Sequence, residues 1–382
     1  MPHPRGGSAP LLGRPRRVWG FRLGDIRYWL GLSLVPGIGP VKARRLLDYF
    51  GDLAAAWVAP AGDLARAGLD GRAVESLLAG RATLDLDAEV SRVHDLGIAL
   101  ITWEDPIYPE RLRQAYGSPF LLYVRGELRP QDDMAVAVVG TRRATSYGRQ
   151  ATERVVHDLA LGGVTVVSGL ARGIDTCAHR AALEAGGRTL AVLGCGVDVS
   201  YPPENARLAR EIAERGAIIS EYPLGTQPEA ANFPARNRII SGLARGTLVV
   251  EAGQTSGALI TARFALDQNR EVFAVPGSIF SPASEGTNRL LQQGAKAVLG
   301  ARDVLDELNL ESVGRQLEMR ELLPVDEVER TVLELLGDEP RHVDDVCRTS
   351  ALSISLVSST LTMLELKGLA RHVGGMSYVV VR

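Results

Sequence analysis

Cysteine is scarce in the 382-residue sequence: Cys177, Cys195 and Cys347 are widely spaced and odd in number. They make no CxxC pair and no disulfide framework, which excludes a small oxidised scaffold and points to a reducing cytosol. The six histidines form no HxxxH or HExxH spacing, so no metal site is expected. No run of 18 apolar residues occurs, so nothing is expected to span a membrane. Lysine is nearly missing. Lys42, Lys296 and Lys367 are the only three, which leaves 40 of the 43 basic residues as arginine. A GC-rich genome accounts for such a bias, and it also means that any anion site is built from forked, stacking guanidiniums. Net charge is small as well: 43 basic against 45 acidic residues give −2. That excludes a protein basic over its whole surface, but not a local basic patch.

What is present is ordinary for a globular chain. With 46% hydrophobic and 23% charged residues, disorder, collagen and coiled coil are excluded, and the length suits two or three domains. The first 22 residues carry Arg5, Arg14, Arg16, Arg17 and Arg22 without an acid, and no signal-length apolar stretch follows. A disordered basic arm is expected over 1–22, with phosphate contact as the alternative. Residues 23–96 read as helical, with apolar spacing at Ile26, Trp29 and Leu30 and again at Ala43, Leu46, Leu47 and Phe50. Residues 97–133 are punctuated by Pro, Tyr and Gly and read as a connector, with a short strand at Leu121–Val124.

From Met134 the pattern alternates. Short β-rich runs at Ala135–Val139, Val164–Val167, Leu190–Leu193, Ala217–Ser220, Thr247–Val250 and Glu271–Val275 are separated by helix-length segments. Such alternation predicts an α/β fold over 134–300, a Rossmann-like parallel sheet with helices on both faces. Residues 301–324 read as an acidic, Leu-rich linker. Residues 325–382 read as three helices and a hairpin turning at Gly374-Gly375, the layout of a winged helix.

In open parallel sheets ligands sit outside the carboxyl ends of the strands. The segments placed there are Gly140-Thr141-Arg142-Arg143, Ser168-Gly169-Leu170-Ala171-Arg172-Gly173-Ile174-Asp175, Gly194-Cys195-Gly196, Phe233-Pro234-Ala235-Arg236-Asn237-Arg238 and Glu251-Ala252-Gly253-Gln254-Thr255-Ser256-Gly257. They are rich in Gly, Ser and Thr and lead toward helix N-termini, where backbone N–H groups and the helix dipole attract anions. Arg142, Arg143, Arg172, Arg236 and Arg238 are expected to converge on one rim that binds several phosphates, with Phe233 stacking a base. Plainer roles stay open: Arg236 and Arg238 could pair with Glu221 or Glu251, Phe233 could pack, Asp175 could cap its helix, and His179 could cap or pack beside its loop. No GxGxxG, P-loop or GxSxG string is present, and Asp175, Glu221 and Glu251 have no matched catalytic partner. No catalytic residues are therefore assigned, no cofactor is expected, and the chain is read as not being an enzyme.

Together the strings Val138-Val139-Gly140-Thr141-Arg142, Ser168 to Asp175, Phe233 to Gly242 and Val275-Pro276-Gly277 resemble the DNA-processing protein A family, DprA or Smf. The resemblance covers about residues 100–300. It implies a cytoplasmic bacterial protein that binds single-stranded DNA, forms a homodimer, loads RecA recombinase in natural transformation and displaces single-strand-binding protein. It carries the DNA-binding assignment onto Arg142, Ser168, Gly169, Arg172, Phe233, Arg236, Asn237 and Arg238, beside the loop residues Gly140 and Arg143. Leu34 to Ala43 looks like a helix-hairpin-helix (SAM-like) unit, making Gly37, Gly39 and Lys42 a candidate secondary DNA contact, or else a packing surface. The winged helix carries nine acids and six bases over 325–382 and no basic residue in Ser355–Glu365, so duplex reading is not expected and a protein-contact role is. Two other functions stand against this one. A nucleotide-cleaving phosphoribohydrolase of related fold would need a PGGxGTxxE string where Glu251 to Ala258 stands, and a winged-helix transcriptional regulator would need a basic recognition helix.

Overall fold

The computed structural model describes residues 23–309, 327–337, 340–366 and 369–380. The expected arm over 1–22 and most of the expected linker lie outside the described residues. The chain divides into two compact units, one ending at Leu308 and the other starting at Asn309. Among the described residues no helix is long and apolar enough to cross a membrane.

The first unit opens with helices α1 (Leu23–Leu34), α2 (Pro40–Phe50), α3 (Leu53–Val58), α4 (Ala61–Arg66), α5 (Gly71–Thr83) and α6 (Leu86–Asp95). Then come β1 (Ile98–Thr102), α7 (Glu110–Gln114) and β2 (Leu121–Gly126). The alternating part runs β3 (Ala135–Val139), α8 (Ser146–Leu161), β4 (Thr165–Ser168), α9 (Ile174–Glu184), β5 (Thr189–Val192), α10 (Ala206–Arg215), β6 (Ala217–Ser220), α11 (Asn232–Gly242), β7 (Gly246–Val249), α12 (Gly257–Asp267), β8 (Glu271–Ala274), α13 (Glu285–Gln292), β9 (Lys296–Ala297) and α14 (Ala301–Glu307).

One nine-stranded sheet has the order β1-β2-β6-β5-β4-β3-β7-β8-β9. The strands from β6 to β9 are parallel, with Val136 opposite both Val166 and Gly246. β3, β4, β5, β6 and β7 are buried along their whole length, as a sheet covered on both faces requires. Succession runs outward from β3 through β4, β5 and β6, then jumps back to β7 and runs the other way. α9 packs against both α8 and α10, and α11 packs against α12. With right-handed crossovers the reversal puts these two groups on opposite faces and opens a crevice between β3 and β7.

The segment read as a connector over 97–133 adds two strands to the sheet, β2 where the short strand at Leu121–Val124 is expected and β1, which is not expected. β1 pairs antiparallel with β2, and β2 antiparallel with β6. This covers the edge that β6 would otherwise leave unpaired. It also joins the N-terminal helices to the sheet. Trp29 meets Trp103 edge-on at 6.4 Å, the Ser33 and Tyr123 hydroxyls are 2.8 Å apart, and both regions share one buried core. The expected boundaries at 96 and 133 therefore separate no independent cores. The linker also starts later than expected: α14 buries Ala301 and Val304 within the first unit.

The second unit has helices Glu327–Leu335, Val343–Ser350 and Ile354–Leu366 and a three-stranded sheet of β10 (Arg341–His342), β12 (Ser377–Val380) and β11 (Ala370–Gly374). Its core is built from Val332, Val346, Val357, Leu361 and Ala370. This is the winged-helix layout, with the two-residue strand β10 added.

Candidate functional site

The crevice at the sheet's reversal point is a cleft of about 770 Å³. Its walls come from the segment after β3 (Gly140 to Arg143), from Ala171 and Asp175 beside β4, from α11, and from the start of α12. Thr141 N–H donates to the Glu251 carbonyl at 2.7 Å, which ties the β3 and β7 loops together beneath the opening. Glu251 extends this tie by accepting from the Thr145 N–H at 2.9 Å and hydroxyl at 2.6 Å.

The fourth string is a helix, not a loop. Pro234 falls in the first turn of α11, where a missing N–H costs nothing because that turn has no intrahelical acceptor. Helix phase then sorts its side chains. Phe233, Arg236 and Asn237 stand at i, i+3 and i+4 on one face and line the cleft. Arg238 stands about 200° around from Arg236 and points elsewhere.

Phe233 is half-buried at the centre of this face. Its ring lies 5.5 Å from that of Tyr201, with the Arg142 guanidinium 5.4 Å and the Arg236 guanidinium 5.9 Å from its centroid. Arg142 and Arg143 are exposed on the lip, and neither is in an ion pair among the described residues. Arg236 lies in the floor at 3% exposure. It donates to the Gly169 carbonyl at 2.9 Å, to the Val192 carbonyl, and to the Asn237 side chain at 3.2 Å. Burial pushes its pKa down to about 10, which still leaves it charged at neutral pH. Gly169 allows this approach: a Cβ there would sit 2.6 Å from the guanidinium. Asn237 donates to the Gly257 carbonyl at 3.3 Å and links α11 to α12.

Asp175 does not cap α9. Gly173 holds the N-cap position, and the Asp175 carboxylate accepts from the N–H groups of Gly169 at 3.1 Å and Ala171 at 3.3 Å, bracing the β4 loop. Burial raises its pKa to about 6, against the opposing pull of Arg236. His179 packs one turn below, fully buried, with Nδ1 2.7 Å from the Thr189 hydroxyl. That hydroxyl donates to the Val166 carbonyl, so it receives its second bond from Nδ1–H. Burial and nearby Arg236 push the imidazole pKa down to about 3.

Four expected contacts, Ser168, Gly169, Arg172 and Arg238, do not line the cleft. Ser168 is fully buried and its hydroxyl donates to the Val138 carbonyl at 2.6 Å, a strand-to-strand bond that uses up its donor. Arg238 forks onto Glu221 at 2.7 and 2.5 Å and donates to the Gly117 carbonyl at 3.0 Å. Burial alone would lower the Arg238 pKa, but the bonds to Glu221 outweigh it and raise the value. Its charge is thus neutralised away from the cleft. Gly169 lines a smaller adjoining cavity of about 30 Å³ together with Arg142, Arg172 and Phe233. Arg172 is exposed but ion-paired with Glu204.

The helix-hairpin-helix turn is pinned from inside by buried Val35 and Ile38. Gly37 takes φ +83°, the left-handed conformation the turn needs, and Gly39 caps α2 ahead of Pro40. Lys42 is committed to Asp70 at 2.7 Å, so its charge is already compensated.

The sequence reading puts Thr255, Ser256 and Gly257 on the rim without assigning them a contact, and leaves out Tyr201. Thr255, Ser256, Gly257 and Tyr201 all face the cleft. The first three lie in a Gly/Ser/Thr segment of the expected kind but carry no arginine to single them out. Tyr201 follows β5 by nine residues, with no motif to mark it. Among the described residues no group of three or more His, Cys, Asp or Glu could hold a metal ion.

Comparison with known proteins gives a consistent picture. Residues 99–309 match the model of the DNA recombination-mediator protein A family, and 318–376 match the DprA winged helix domain. Protein Smf of Synechocystis is 36% identical over an alignment spanning 92% of this chain and 98% of that protein. The X-ray structure of DNA processing protein A from Streptococcus pneumoniae superposes with a TM-score of 0.66 at 39% identity, covering 74% of this chain and 97% of that one. DNA processing protein A from Helicobacter pylori, whose structure describes a single-stranded DNA binding mode, matches with a TM-score of 0.50 at 32% identity over 55% of this chain and 95% of that one.

Proposed function

The chain belongs to the DNA recombination-mediator protein A family, and from that premise we propose that it binds single-stranded DNA in the cleft between β3 and β7 and presents the strand to the RecA recombinase during recombination and natural transformation. One observation carries the proposal: an aromatic ring, Phe233, has the guanidiniums of Arg142 and Arg236 5.4 and 5.9 Å from its centroid in an open cleft at the carboxyl ends of the strands. A base stacks on such a ring whatever its identity, for about 1–3 kcal/mol, while the adjacent cations meet its phosphates. Helix N-termini at α9, α11 and α12 add partial positive charge around the same opening. The carboxylates near the cleft serve the fold: Asp175 holds the β4 loop and Glu251 holds Thr145. This supports binding without chemistry on the strand. Homodimer formation and displacement of single-strand-binding protein belong to the same proposal and rest on family membership alone.

Anisotropy of a labelled oligo-dT of about 20 nucleotides across a salt series tests the reading. Tight binding with no strong base preference is expected, weaker for the matching duplex, and with log K falling by about 0.7 per bound phosphate for each decade of salt. Absence of binding, preference for duplex, or release of free base from nucleotides would each overturn it.

A further inference from the structure

We propose that the bound strand does not end in the switch-point cleft but continues across a second groove on α8 and α9, which grips the sugar-phosphate backbone of the neighbouring nucleotides. This rests on the single-stranded DNA reading of the cleft and extends it. The groove has a volume of about 410 Å³ and is lined by Arg142, Arg143, Arg149, Arg172 and Arg180, with Glu204 the only carboxylate lining it among the described residues. It is continuous with the cleft, since Arg142 and Arg143 line both.

All five arginines are exposed, while α8 and α9 bury Val155, Val156, Leu159, Ala178, Ala181 and Ala182 on their packing faces. Arg172 pairs with Glu204. Arg142, Arg143, Arg149 and Arg180 are in no ion pair among the described residues. Arg149 is nevertheless held in place, donating to the Ala144 carbonyl at 2.7 Å and the Ser146 hydroxyl at 3.3 Å. Guanidiniums that outnumber the carboxylates beside them repel one another, and a polyanion lying along them relieves that repulsion. Among the described residues no aromatic side chain lines the groove, unlike the cleft with Phe233 and Tyr201. It therefore suits phosphates and not bases, and one strand would have its bases stacked at the cleft and its backbone held beyond it.

The test uses the full chain carrying Arg149→Ala and Arg180→Ala, two residues that do not line the cleft. Binding is measured with oligo-dT of about six and about 20 nucleotides over a salt series. The short oligonucleotide is expected to bind as it does to the wild type. The long one is expected to bind roughly tenfold more weakly at low salt, with a salt slope smaller by about 0.7 for each phosphate that the variant no longer neutralises. The Arg149→Lys, Arg180→Lys chain keeps the charge and is expected to keep the slope. If the long oligonucleotide is unaffected, or the short and long ones weaken equally, the groove carries no separate stretch of strand and the proposal is wrong. Failure of the wild type to bind either length removes the cleft reading first, and this extension with it.

Discussion

Arginine does opposite work at the two ends of the sheet. At the amino ends of the strands Arg188 and Asp132 are both buried, joined at 2.6 and 3.0 Å, and Arg188 also donates to the Arg215 carbonyl at 3.0 Å. On the side of α11 away from the cleft, Arg238 is committed in the same way to Glu221. At the carboxyl ends Arg142 and Arg143 stand exposed and in no ion pair among the described residues. The difference is not in residue type but in what each guanidinium already touches. A buried arginine with its acid is part of the scaffold, whereas an exposed one without an acid is available to a ligand. Arg236 falls between the two, buried like a scaffold residue but bonded only to carbonyls and an amide, so its charge remains in the floor of the cleft.

The largest test of this contrast is Arg238→Ala. Removing one partner of a partly buried, bidentate pair leaves Glu221 uncompensated, and a stability loss of about 2–4 kcal/mol is expected in chemical denaturation. The molecules that remain folded should still bind oligo-dT normally. A binding loss without a stability loss would move Arg238 into the interface. Phe233→Ala should do the reverse, costing about 1–3 kcal/mol of single-strand affinity by titration.

A smaller effect concerns pH. The Asp175 pKa is raised from 3.8 to about 6, so its charged form is disfavoured in the folded protein. Its contribution to stability is therefore present at low pH and lost as pH rises through about 6. Below that value neutral Asp175 no longer offsets Arg236, and affinity for oligo-dT should rise a few-fold on going from neutral to mildly acidic buffer. The buried neighbours His179, at about 3, and Cys195, pushed by burial to about 11, do not titrate in this window. In Asp175→Asn that part of the pH dependence should vanish, and its persistence would place the titrating group elsewhere. The smallest expected change is in Glu204→Gln, which releases Arg172 from its exposed ion pair and should tighten binding by less than about tenfold, because such pairs are worth at most about 1 kcal/mol.

Much of the scaffold is legible in the β-branched runs. Ala135–Val139 and Ala217–Ser220 are strands at the expected residues, and the Gly/Ser/Thr segments after the strands lie at one edge because parallel topology puts them there. Three features are not legible, each for a physical reason. β1 sits among Pro and Gly residues, and it is a strand through its pairing with β2, whose first residues are the strand expected at Leu121–Val124, while β2 in turn pairs with β6. The helix α11 is disguised by Pro234, which is harmless in a first turn, and without the helix phase Arg236 and Arg238 look equivalent. Arg149 and Arg180 lie within helices outside every loop string, so only the packing of α8 on α9 brings them together. The winged helix illustrates the converse. Its layout is legible, yet its last helix exposes Ile354, Leu356 and Met363 where a duplex reader would carry basic residues.

The central claim is that the strand lies in the cleft between β3 and β7, and photocrosslinking tests it most directly. An oligonucleotide bearing photoreactive thymine analogues, bound to the full chain and mapped by mass spectrometry, should crosslink to the peptides containing Phe233 and Tyr201. Crosslinks confined to the helix-hairpin-helix turn around Gly37 and Lys42, or to the winged helix, would contradict the account.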